Sequence, residues 1–231
     1  MRRFAPKSAD VLHLTNKVWI TRTRPAADES AKVWLTAGFV PIVASLLEIQ
    51  AVDHTPISED NVLIFTSKNG VDHVTCSGQR AICVGDATAE HAREVGYIDV
   101  VSVDGTSADI TDWVRANLRK SESVIHVSGW HVRGSIAEDL RASGHVASRV
   151  RVYRSVPRLI WPETPTSHVA LYSPLAARVF ADLAKGQRLS NLSAICISQA
   201  TADELAGLSL ESIGIAARPR EDELIMAAKS D

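Results

Sequence analysis

Short, almost wholly apolar runs punctuate the chain: Val18-Trp19-Ile20, Val62-Leu63-Ile64-Phe65, Ala81-Ile82-Cys83-Val84, Val124-Ile125-His126-Val127, Val169-Ala170-Leu171-Tyr172 and Ala194-Ile195-Cys196-Ile197. Runs of this length, bounded by small polar residues and glycine, read as strands buried on both faces. Longer stretches of helical character separate them, and Gly38 and Gly144 each follow such a stretch at a position suited to a left-handed stop. Strands and helices alternating in this way predict an α/β fold of parallel sheets flanked by helices.

The pattern also repeats. Ala81-Ile82-Cys83-Val84-Gly85-Asp86-Ala87-Thr88-Ala89-Glu90 returns as Ala194-Ile195-Cys196-Ile197-Ser198-Gln199-Ala200-Thr201-Ala202-Asp203. The strand leading to Ser67 returns as the strand leading to Ser173. More faintly, the strand at Val18 leads through Arg24 to Gly38, as the strand at Val124 leads through Arg133 to Gly144. Three matches in the same order argue for duplication, and so for two similar lobes. Residues 39–50 and 145–157 hold equivalent places in the repeat and look extended, which predicts a two-stranded linker where chain is exchanged between lobes. The expected division is a loosely ordered leader over 1–17, lobe A from 18–38 plus 158–231, linker strands over 39–49 and 146–157, and lobe B over 50–145.

Ligands of parallel α/β sheets bind beyond the carboxyl ends of the strands. Ser67, Thr88, Ser173 and Thr201 all fall there, where a helix begins. Each also reads as a helix N-cap, a role worth about 1 kcal/mol. The two readings are compatible, because a helix start presents free N–H groups and a positive dipole end to an anion.

Composition narrows the function. Among 231 residues, 45% are hydrophobic and 23% charged, and the net charge is −2. That balance gives no overall field for nucleic acid or an anionic membrane, although 149–158 is locally basic. No apolar run approaches the ~20 residues of a spanning helix, and the opening residues lack the apolar stretch of a secretory signal. A soluble, cytoplasmic protein is expected. Cys76, Cys83 and Cys196 have no CxxC spacing, and the latter two sit in apolar runs as buried thiols would. The histidines form no HExxH or similar cluster, so no metal is expected.

From about Val18 to the C-terminus the chain carries an ordered series of motifs. They are Thr23-Arg24-Pro25, Gly38-Phe39-Val40-Pro41 with Leu47-Glu48-Ile49, Phe65-Thr66-Ser67-Lys68-Asn69-Gly70-Val71, and Val84-Gly85-Asp86-Ala87-Thr88-Ala89. Gly105-Thr106-Ser107-Ala108-Asp109, Val152-Tyr153-Arg154-Ser155-Val156-Pro157, Tyr172-Ser173-Pro174 and Ala217-Arg218-Pro219-Arg220-Glu221 continue the series. In order and spacing these motifs resemble the uroporphyrinogen-III synthase family, and the resemblance implies two α/β lobes on a two-stranded linker, with the active site in the cleft. It implies a lyase that closes hydroxymethylbilane, a linear tetrapyrrole rich in carboxylates, to uroporphyrinogen III. Water is lost and the last pyrrole ring is inverted through a spiro intermediate. No cofactor is implied; the expected state is a monomer, in transient contact with hydroxymethylbilane synthase.

Residue by residue, the resemblance makes Tyr153 the group that assists departure of hydroxide. A phenol, with an ordinary pKa near ~10, is protonated at neutral pH and can donate. It makes Arg24, Ser67, Lys68, Thr88, Ser173 and Thr201 contacts for substrate carboxylates. Ser198 and Val132 stand where the family pattern has glycine, the latter beside Arg133. A non-catalytic two-lobed binding or sensor protein, including an inactive paralogue, is the alternative. An assay that separates the type I and type III isomers distinguishes the two.

Overall fold

Eleven strands among the described residues form two sheets. In chain order they are β1 (Lys17–Ile20), β2 (Val40–Val43), β3 (Leu47–Ala51), β4 (Val62–Phe65), β5 (Ala81–Cys83) and β6 (Val100–Ser102). There follow β7 (Ser123–Gly129), β8 (Val146–Pro157), β9 (His168–Leu171), β10 (Ser193–Cys196) and β11 (Ile213–Ile215). The computed structural model describes residues 16–75, 77–132 and 134–230; most of the expected leader, Cys76 and Arg133 lie outside them.

One sheet has the order β11-β10-β9-β1-β2, the other β3-β8-β7-β4-β5-β6. The pairs β1–β2, β1–β9, β9–β10 and β10–β11 are parallel, as are β4–β5, β4–β7, β5–β6 and β7–β8. Successive side chains of a strand point to opposite faces, and here both faces are apolar. In the first sheet Val18 and Ile20 pack with Trp34 and Leu224, while Trp19 on the other face packs with Phe180 and Leu205. In the second, Val62 and Ile64 join Ile110, Val114 and Leu140, while Leu63 and Phe65 join Val71, Ala89 and Ala92. Full burial of such a side chain contributes roughly 1.5–3 kcal/mol, so the continuous apolar runs have one stable place, the interior of a helix-covered parallel sheet.

Contacts divide the chain into two units. One takes the residues up to Glu48 together with those from Val156 onward; the other runs from Ile49 to Ser155. The stretch expected to be a single linker strand over 39–49 is two strands in different sheets. After Gly38, at φ +96°, Phe39 enters the core and β2 returns beside β1 in register Lys17↔Val40. Fully buried Leu46 then ends the turn, and β3 begins at the edge of the second sheet beside β8. The second expected linker strand, 146–157, coincides with β8, a strand of 12 residues that also pairs with β7. No helix among the described residues is long and apolar enough to cross a membrane.

Candidate active site

Interior strands of both sheets end in polar residues, and the repeat puts Ser67 after β4 and Ser173 after β9. Both serines are half-buried N-cap residues. Ser173 caps in the ordinary way, its Oγ accepting from the Ala176 N–H at 3.2 Å. Ser67 makes no such bond; its Oγ lies 3.0 Å from the hydroxyl of Tyr153. Two residues separated by 86 positions, both expected at the site, are thereby brought together.

The second unit builds a seat for that tyrosine. Between Ser128 and Gly129 the β7–β8 register shifts, which sets Gly129 opposite Tyr153. A Cβ on Gly129 would come within 2.7 Å of Tyr153 Cε2, so only glycine leaves room for the ring. The Trp130 N–H donates to the Tyr153 carbonyl at 2.8 Å. The His73 ring lies 5.7 Å from the phenol, centroid to centroid, and its Nδ1 is 2.8 Å from the Asn69 carbonyl. Arg149 braces the end of β7, donating to Ser128 Oγ, to the Gly129 carbonyl (both at 2.7 Å) and to the Trp130 carbonyl at 3.0 Å. Burial, and then the neighbouring Arg151, lower the pKa of that guanidinium from its usual value.

Side chains alternate along β8, so Arg154 points away from Tyr153. It lines a pocket of about 650 Å³ with Asp53, Trp130, His131 and Ser155, and it donates to Gln50 at 3.2 Å. Arg151 lies over the Trp130 ring at 5.1 Å. The locally basic stretch is therefore divided: Arg149 braces a strand end, Arg151 stacks, and Arg154 faces the pocket.

The other expected site residues are more dispersed. Thr88 and Thr201 are third residues of their helices rather than caps, the cap positions being Gly85 and Ser198. Thr88 is buried, and Thr201 is completely so, with its hydroxyl 3.0 Å from Ser198 Oγ. Gly85 and Ser198 share an extended backbone, φ −158° and −162°, and a Cβ on Gly85 would meet nothing within 4 Å. Serine at 198 therefore fits the backbone without strain. Lys68 is half-buried, whereas Arg24 is exposed and pairs with Asp28 at 3.4 Å. The helices opening after Ser67 and Ser198 have 5 and 4 residues, against 10 and 11 for those opening after Gly85 and Ser173. A single turn aligns few peptide dipoles, so the anion-attracting field of the two short helices is the weaker.

Gly105-Thr106-Ser107-Ala108-Asp109 has a structural explanation. Thr106 accepts from the Ala108 N–H, Asp109 accepts from the Thr106 N–H, and Gly105 leaves the space that Asp109 fills. Cys83 and Cys196 are buried, which pushes their thiols up to about 11 and about 12. Gly129 and His73 were not among the expected site residues, and Arg149 stood out only within the locally basic 149–158; the local signal for this corner is the Ser-Gly-Trp end of a buried strand.

Two predominantly parallel sheets, each covered by helices and each presenting polar side chains beyond its strand ends, define an α/β protein of duplicated, doubly wound design. The family model for uroporphyrinogen-III synthase HemD matches residues 28–226, and the chain belongs to that family, whose place is tetrapyrrole biosynthesis. The crystal structure of uroporphyrinogen-III synthetase from Helicobacter pylori has a TM-score of 0.64 at 19% identity, over 93% of this chain and 98% of that one, a likeness of fold. Wild-type uroporphyrinogen III synthase from the extremely thermophilic bacterium Thermus thermophilus gives 0.39 at 16% identity, over 93% of this chain and 96% of its own. A mutant of the same enzyme gives 0.49 at 15%, over 94% and 100%. Comparison with curated protein sequences finds no match.

Proposed function

We propose that this chain is a uroporphyrinogen-III synthase that converts hydroxymethylbilane to uroporphyrinogen III with Tyr153 as proton donor. The family match across 28–226 carries the reading. The seat built around Tyr153 supports the choice of donor. The C–O bond of the hydroxymethyl group breaks, the phenolic proton leaves with the oxygen as water, and an azafulvene cation remains. Attack on that cation by the substituted carbon of the last ring gives the spiro intermediate. Fragmentation and reclosure invert the ring, and the proton lost when the final pyrrole regains aromaticity restores the phenol.

An electron-rich pyrrole expels hydroxide readily, so a single positioned acid suffices. The larger task is conformational. Free bilane closes at its unsubstituted carbon to the type I isomer, and selecting the other closure is an effect of orientation. Arg24, Lys68, Thr88, Ser173 and Thr201, with nearby backbone amides, are proposed to receive the acetate and propionate groups. Thr201, completely buried, reaches a ligand only after a local shift, and Thr88 is itself largely buried.

The test is a coupled assay. Hydroxymethylbilane is supplied, the product is oxidised, and isomers I and III are separated. Type III in excess of the uncatalysed background is expected; type I alone, at the uncatalysed rate, would leave a binding protein.

A further inference from the structure

We infer that Ser67 is a positioning residue for Tyr153, its hydroxyl directing the phenolic proton rather than holding a substrate carboxylate. This rests on the reading of Tyr153 as proton donor. Ser67 Oγ and the Tyr153 hydroxyl are 3.0 Å apart, within the range of an O–H···O bond. Ser67 also has the backbone of a capping residue, φ −161° and ψ 154°, and yet does not cap. Ser173, at φ −161° and ψ 155°, shows what the same backbone does when nothing competes: its hydroxyl takes the Ala176 N–H. The tyrosine has drawn Ser67 away from its own helix.

The ring lies against the bare Gly129 and beside the tilted His73 ring, at 5.7 Å, which limits its movement. What stays free in a seated phenol is rotation of its O–H bond. A hydroxyl carries one proton and two acceptor sites. When Ser67 donates to the phenolic oxygen, the phenolic proton must point elsewhere, and it is then available to the departing hydroxyl of the substrate.

Steady-state kcat and KM for hydroxymethylbilane should be measured on the full chain, on Ser67→Ala, on Tyr153→Phe and on the double variant. Ser67→Ala is expected to lower kcat ~2–10-fold, the span of one ordinary hydrogen bond, with KM unchanged. Ser67→Thr, which keeps the hydroxyl, should restore kcat. In the Tyr153→Phe background, Ser67→Ala should have no further effect, the mark of a residue that acts through another. If Ser67→Ala raises KM and leaves kcat alone, Ser67 is a carboxylate contact and the inference falls. It falls equally if the kcat loss is as large in the Phe background. A Tyr153→Phe variant with unaltered kcat would remove the underlying reading instead, and with it any role for Ser67 in orienting the proton.

Discussion

The two units begin from the same strand end and put it to different uses. Where Ser173 caps its helix, the neighbouring Tyr172 belongs to a polar network: its hydroxyl donates to Glu221 at 2.6 Å. The Trp34 indole N–H donates to the same carboxylate oxygen at 2.6 Å, and Ser30 and Arg22 donate to the other at 2.9 and 3.2 Å. The Arg22 guanidinium also lies 4.8 Å over the Tyr172 ring. Loss of solvent, followed by the Glu221 charge, holds that phenol well above its ordinary range. Tyr172 thus remains a donor to a fixed acceptor, tying β9 to the start of the Glu221–Lys229 helix. In the other unit Ser67 meets a half-buried tyrosine supplied by β8, with another hydroxyl rather than a carboxylate as partner. At the first strand end Tyr172 is built into a network around a carboxylate; at the second, Ser67 and Tyr153 form the pair for which we propose chemistry.

The largest test of this contrast concerns His126, whose counterpart in the first unit is Ile20. Burial, and then the charge of Arg149, lower its pKa from 6.5 to about 4, against an opposing pull from Glu138; its Nε2 has no hydrogen-bond partner. The folded state therefore resists protonation, while the unfolded chain takes up the proton below its ordinary value. The contribution is complete above about pH 6.5 and is lost as pH falls toward 4, by about 3 kcal/mol in all. Urea unfolding at both pH values should show that loss in the wild type and little of it in His126→Ile. Equal losses would place the acid sensitivity elsewhere.

Tyr153→Phe should come next, lowering kcat by ~10²-fold or less with the unfolding midpoint unchanged. Water near the leaving group and the reactivity of the pyrrole keep the effect at the low end. For the network in the first unit the expectation is reversed. Glu221→Gln should destabilise by about 2 kcal/mol, since the amide cannot satisfy all four donors, while kcat per folded molecule is kept. A Glu221→Gln protein that is stable but slow would make both units catalytic. The smallest effect is that of Ser173→Ala, about 1 kcal/mol for one cap. Ser67→Ala removes no cap, and its unfolding midpoint should move less.

Much of this fold was legible because its buried strands are continuous apolar runs, as in β4 and β10, which have no stable place outside a doubly covered sheet. The helix stops at Gly38 and Gly144 were legible for the same local reason, both having positive φ. Residues 39–49 were harder. Their extended character was plain, but the assignment of β2 and β3 to different sheets depends on buried Leu46 and on pairing with strands distant in sequence. At the site, Thr88 and Thr201 were placed near helix starts, yet the capping position lies earlier, at Gly85 and Ser198. The Ser67–Tyr153 pair could not be read at all. It depends on a register shift at Gly129, and a one-residue slip there is invisible to periodicity.

The division of the chain also sets an order of events during synthesis. β1 and β2 are made before the second unit, but β9, β10 and β11, which complete their sheet, are made after it. The unit from Ile49 to Ser155 is finished in between and has all its own strands except the last residues of β8. On the ribosome it can close while Trp19 and Trp34, fully buried in the end, still wait for partners not yet translated. β1 and β2, though translated before the second unit, cannot complete their sheet until β9, β10 and β11 have followed it.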